Sequence, residues 1–212
     1  MDPRIYVAVI LIVSIVIHEY SHGWMALRSG DSTAKDAGRL TLNPIPHIDP
    51  VGTIFLPLIM LMTGTGVLFG WAKPVPVNPQ NFNNPGIDNV KVSGAGPLSN
   101  IALATVFTLL AVFFYQNSLL FGIFRFGMQI NVLLAVFNMI PLAPLDGSHI
   151  LEYYVPDNFK PAYHKFQSMG PMLLMIIIFS GFFLPFSIFQ TIIFPPYNFL
   201  VDFFLDIIES LT

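Results

Sequence analysis

Polar residues in this chain are confined to short links between long apolar stretches. Five runs, 5–27, 51–69, 95–115, 123–140 and 172–189, each approach the roughly 20 residues a helix needs to cross the hydrocarbon core of a bilayer. A further stretch, 197–211, carries Asp202, Asp206 and Glu209 at helical spacing opposite Phe, Leu and Ile, which predicts an amphipathic interfacial helix. Prolines punctuate the links. In 38–50, Pro44, Pro46 and Pro50 forbid a regular helix, and Leu40 to Leu42 alternate like a short strand. A second proline-rich link covers 71–85. With no internal repeat, long linker or soluble module, the pattern predicts an all-α membrane protein, 1–212 forming a single membrane-embedded domain.

Composition sharpens this picture. The chain is 54% hydrophobic and only 10% charged, with mean hydropathy +0.69, far outside the range of soluble globular domains. The run 5–27 is too long for the apolar core of a signal peptide and lacks a small-residue cleavage site, so it is expected to be retained. A formal charge of −3 and the lack of any Lys/Arg cluster exclude nucleic acid as a partner. Without cysteine, any metal ion must be held by His, Asp or Glu.

One apolar run carries chemistry. Within 5–27 stands His18-Glu19-Tyr20-Ser21-His22, an H-E-x-x-H pattern in a candidate membrane helix. Each ionisable group near mid-bilayer costs on the order of 2.5–3.5 kcal/mol, so three in five residues require a compensating partner, and a metal ion supplies one. Residues four apart stack on one helix face, so His18 and His22 can offer ring nitrogens to one ion while Glu19 lies beside it as general base for an activated water. A two-histidine zinc site wants a third protein ligand. Asp146 is the candidate, a lone carboxylate in the apolar segment 138–147, where Pro141 and Pro144 break the helix.

These pieces resemble the site-2 protease family of intramembrane zinc metalloproteases. His18 to His22 matches the family's H-E-x-x-H, and Asn138 to Gly147 matches its Asn-x-x-Pro-x-x-Pro-x-Asp-Gly segment at every fixed position. Ala95-Gly96-Pro97-Leu98-Ser99-Asn100 is similar to the small-residue entry of the helix between them. The resemblance implies one Zn2+ per chain on His18, His22 and Asp146, Glu19 as base, and Asn138 holding substrate or the developing oxyanion. It further implies a transmembrane protein or leftover signal peptide as substrate, cleaved in or near its membrane segment. The PDZ or CBS modules common in the family have no room here.

Topology is an independent check. If every run spanned, His22 and Asp146 would emerge on opposite faces. A re-entrant hairpin at 51–69, which contains Pro57, Gly64 and Gly66, removes the conflict. One face then holds Arg28, Lys35, Arg39, Lys73, Lys91, Lys160 and Lys165, and the other only Arg4 and Arg125. This predicts about four transmembrane helices, the N-terminus outside, and the site toward the cytoplasm of a multi-pass cell-membrane protein. An edge at Leu40 to Asn43 would receive an unwound substrate by strand pairing.

The remaining polar residues are expected to be structural. His149 reads as a helix-start cap, His47 as a solvent-facing loop residue, His164 as interfacial and Asn100 as a helix–helix contact. Trp24 and Trp71 suit membrane interfaces. The competing function is a membrane metal-ion transporter or metal-binding membrane protein, which leaves Glu19 without a role.

Overall fold

The computed structural model describes residues 3–55 and 70–212. The first apolar run forms α1, Pro3–Arg28. It ends where Gly30 adopts φ +105°, a left-handed conformation that only glycine enters without strain. The next residue, Asp31, is fully buried. Its carboxylate accepts the backbone N–H of Thr33 (3.1 Å), starting the short helix α2, Thr33–Asp36, and also takes Asn78 N (2.7 Å) and Asn81 Nδ2 (2.8 Å) from the second proline-rich link.

Helix α3, Pro85–Phe113, opens with Pro85 at a position where the missing N–H costs nothing, and Asp88 accepts Asn84 N at 2.8 Å. Helix α4, Ser118–Asn138, is capped by Asn117, whose side chain accepts Leu120 N. Beyond the proline turn come α5, Asp146–Tyr154, α6, Lys160–Gln167, α7, Gly170–Phe183, and α8, Ile188–Leu211. Helix α3 is central, packing on α1, α4, α5 and α8. Close approach depends on small residues: Ala104 is fully buried, and a Cβ on Gly127 would strike the Phe107 ring. Met128, Val132, Val201 and Phe204 complete this apolar cluster.

Helices α1, α3, α4 and α8 are long and apolar enough to span a membrane. Among the described residues the fourth of these single helices is α8, while most of the expected run 172–189 lies in the pair α6 and α7, which is long and apolar enough only when taken together. The run 172–189 does not form one rod, because Pro185 cannot continue α7 and the Ser187 side chain caps α8 by accepting Gln190 N. The amphipathic stretch 197–211 is the second half of α8, with Val201, Phe204 and Ile208 buried and Asp202, Asp206 and Glu209 exposed. Helices α6 and α7 form a pair bent by 55°.

No strand occurs among the described residues, which corrects the edge expected at Leu40 to Asn43. Local side-chain bonds take the place of strand pairing there: Thr41 Oγ1 accepts Asn43 N and Asn43 Oδ1 accepts Ile45 N, each at 3.1 Å, bending the chain into the turn Ile45–His47. Most of the predicted hairpin 51–69 lies outside the described residues. Its flanks meet each other, with Trp71 N donating to Gly52 O (3.2 Å) and Thr53 Oγ1 donating to Trp71 O (2.8 Å).

Candidate metal centre

Late α1 lies beside early α3, since His22 meets Val92, while His18 and Ser14 meet Asn100 further along. The two helices are thus antiparallel. Helix α4 returns alongside α1, delivering the proline turn and Asp146, the first residue of α5, to the level of the histidines. His18 and His22 are buried, at 7% and 9% exposure.

Three candidate ligands converge. His18 Nε2 and His22 Nε2 are 3.0 Å apart, His18 Nε2 lies 3.3 Å from Asp146 Oδ2, and His22 Nε2 lies 3.4 Å from Asp146 Oδ1. One ligand atom from each fits within 4.8 Å of the others. The opposite ring nitrogens are engaged: His22 Nδ1 with Val92 O at 2.7 Å and His18 Nδ1 with Asn100 Oδ1 at 2.6 Å. A backbone carbonyl only accepts, so His22 carries its proton on Nδ1 and turns the Nε2 lone pair inward. Asp146 Oδ2 is buried with no hydrogen-bond partner. Two inward imidazole nitrogens and a buried carboxylate oxygen with no well-aligned hydrogen bond make a set of donors suited to a divalent transition metal.

The surrounding backbone is shaped to this cluster. A Cβ on Gly96 would collide with both imidazoles, so glycine is required where α3 passes closest. A Cβ on Gly147 would collide with the Met139 carbonyl, so α5 starts tightly against the end of α4. Gln167 clamps the proline turn, its Oε1 accepting Ala143 N at 2.6 Å and its Nε2 donating to Pro141 O at 3.1 Å.

Glu19 lies next to His18 and accepts Val75 N on Oε2 at 2.7 Å. The extended segment bearing Val75 is tied in turn by Arg39, which donates to Lys73 O, and by Lys73 N donating to His47 O. Asn138 ends α4 with its amide turned back on Leu134 O at 3.0 Å, and it makes no bond to the cluster.

Residues read as structural divide. Asn100, expected as a helix–helix contact, does bond across helices, and its partner is His18 itself. Asn131 and Ser14, bonded behind it, carried no signal in the sequence beyond being polar in apolar runs. His47 is buried at 3% and bonds Thr41 O through Nε2, which corrects its placement in solvent, where a free loop histidine would stand. His149 is exposed near Glu152, and His164 pairs with Glu152 at 2.7 Å.

Comparison with known proteins identifies the family. The model of Peptidase family M50 matches residues 115–181, which include the Asn138–Gly147 segment. A Bacillus subtilis protein named "Putative zinc metalloprotease YwhC" is 40% identical over 181 residues, covering 81% of this chain and 79% of the relative. A Mycolicibacterium smegmatis relative of the same description, Rip2, is 27% identical over 84% of this chain and 70% of its own length. No solved structure gives a significant match. The extent of the B. subtilis match establishes that this chain belongs to peptidase family M50, the site-2 protease family.

Proposed function

We propose that the chain is an intramembrane zinc metalloprotease, a single membrane-embedded unit that hydrolyses a peptide bond in or near the transmembrane segment of another membrane protein. The carrying observation is the convergence of His18 Nε2, His22 Nε2 and an Asp146 oxygen within 4.8 Å. In this reading, those three groups hold one Zn2+. When bound, such an ion supplies Lewis acidity, bringing a water toward nucleophilic form near neutral pH and polarising the scissile carbonyl.

The protein's own groups do the rest. Glu19, fixed through Oε2 by Val75 N, keeps its second oxygen to take a proton from the attacking water and later pass it to the departing amine. Asn138 has one N–H on Leu134 O, and the other is available to an oxyanion or substrate carbonyl. The site is buried among helices, so a helical substrate must unwind locally to reach it. Charge supports a cytoplasmic-facing site: Arg39 bonds the Lys73–Pro74 backbone beside Glu19, and α6, bearing Lys165, is tied by Gln167 to the turn before Asp146.

Glu19→Gln tests this reading. Cleavage of a reconstituted transmembrane substrate should fall by about 10²–10⁴-fold, the range for removing a general base, with zinc content unchanged. Retained turnover would overturn the assignment, and metal flux into vesicles unaffected by the substitution would establish the transporter instead.

A further inference from the structure

The hydrogen-bond chain behind His18 has a direction, and it can be read from its far end. Asn131 Nδ2 donates to Gly127 O and to Ser14 Oγ, each at 2.9 Å. The Gly127 carbonyl cannot donate, so Asn131 must present its NH2 there and its Oδ1 to Asn100. Asn100 Nδ2 lies 3.0 Å from that Oδ1 and 3.5 Å from Ser14 O, another pure acceptor. Asn100 therefore turns its own Oδ1 to His18 Nδ1, at 2.6 Å. Reversing either amide would set oxygen against oxygen. Ser14, Asn100 and Asn131 are all fully buried, so water cannot repair such a reversal.

We infer that Asn100 and Asn131 are positioning residues that fix the tautomer of His18, placing its proton on Nδ1 and its Nε2 lone pair in the metal cluster. Asn131 does this without touching either imidazole. The two histidines are thereby set by different means. His22 is fixed by a backbone carbonyl that no substitution removes, whereas His18 depends on a relay of side chains across α1, α3 and α4. The functional consequence rests on His18 being a zinc ligand, while the tautomer itself does not.

The test uses the full chain, stripped of metal and labelled with ¹⁵N-histidine, with ring-nitrogen shifts reporting each tautomer. In the native protein His18 should be wholly Nδ1–H. Asn100→Leu should show both tautomers and bind zinc about 10–100-fold more weakly in chelator competition. Asn100→Asp should keep the single tautomer, because a carboxylate oxygen still accepts from Nδ1, but at a loss of stability, because its other oxygen then meets Asn131 Oδ1 and Ser14 O where an N–H stood. Asn131→Ala, which leaves Asn100 in place but frees it to rotate, should also mix the tautomers and carries the test if Asn100→Leu fails to fold. A single Nδ1–H tautomer in Asn131→Ala or Asn100→Leu overturns the inference. A fixed tautomer in a native protein that binds no zinc would instead overturn the proposed function and leave the relay standing.

Discussion

The two flanks of the metal cluster are built on opposite principles. On the helix-lined flank, the backbone of α1, α3 and α4 is largely satisfied by its own hydrogen bonds, and three buried polar side chains link to one another, Ser14, Asn131 and Asn100 in line to His18. On the loop-built flank, prolines and turns leave backbone groups without helical partners, and side chains reach out to serve backbone. Asp31 takes Asn78 N, Gln167 takes Ala143 N and Pro141 O, and even Glu19 takes Val75 N. Ser14, Asn100 and Asn131 among the helices thus point at the chemistry, and Asp31 and Gln167 beside the loops fix the loops' shape.

The largest expected effect tests the helix-lined flank where backbone meets imidazole. Gly96→Ala forces a methyl group into the space held by His18 and His22, whereas Gly94→Ala, half a turn away on the same helix, meets nothing within 4 Å. Displacing reacting groups by about 1 Å costs on the order of 10²-fold in rate. Gly96→Ala should lose activity on that scale and lose zinc on purification, with helical circular dichroism unchanged, while Gly94→Ala retains both. Equal behaviour of the two variants would mean that α3 yields, and that the close approach is not a constraint.

On the loop-built flank the larger effect belongs to Asp31. Burial pushes its carboxyl up, but bonds from Thr33, Asn78 and Asn81 outweigh this and hold it below the usual carboxylate range. A depressed folded-state pKa contributes stability that is fully present above the unfolded value, about 3.9, and is lost as pH falls through the lower folded value. Asp31→Asn, which turns an N–H toward a bonded donor, should cost about 1–3 kcal/mol at pH 7. That gap should narrow as the pH is lowered below about 4. Denaturant titrations at pH 7 and pH 3 measure it, and a constant gap would show that the charge of Asp31 contributes nothing.

The same contrast explains what was legible in the sequence. Helical spacing determined that His18 and His22 share a face, and the prolines of 138–147 marked where Asp146 would leave the membrane helix. Among the described residues, three of the four single helices long enough to span follow directly from apolar run length. The fourth did not, because the run through 172–189 and the amphipathic pattern of 197–211 say nothing of where a cap divides them. Ser187 and Pro185 place that break, and it lies inside the apolar run. Asn100 and Asn131 look alike in one dimension, as single amides in greasy helices. Which of them meets His18 depends on the crossing of α1, α3 and α4, information that periodicity does not contain. The bend at Thr41 and Asn43 was misread because alternation over three residues cannot outweigh side chains that bond their own backbone.

The smallest effect separates the shape of the proline turn from the chemistry it delivers. Gln167 is only partly buried, so water can replace part of what it supplies to Pro141 and Ala143 when it is changed to Leu. A net loss of about 1 kcal/mol corresponds to roughly fivefold faster opening of the turn. Hydrogen exchange at the Ala143 amide should accelerate by that factor, while amides of α3 around Asn100 keep their native protection. Zinc content should hold, because Gly147 still seats α5 against the end of α4 and keeps Asp146 facing the histidines. If exchange instead rises in both places together, the two flanks form one cooperative unit. The division between side chains that serve chemistry and side chains that serve shape would then be one of geometry alone, without a counterpart in energy.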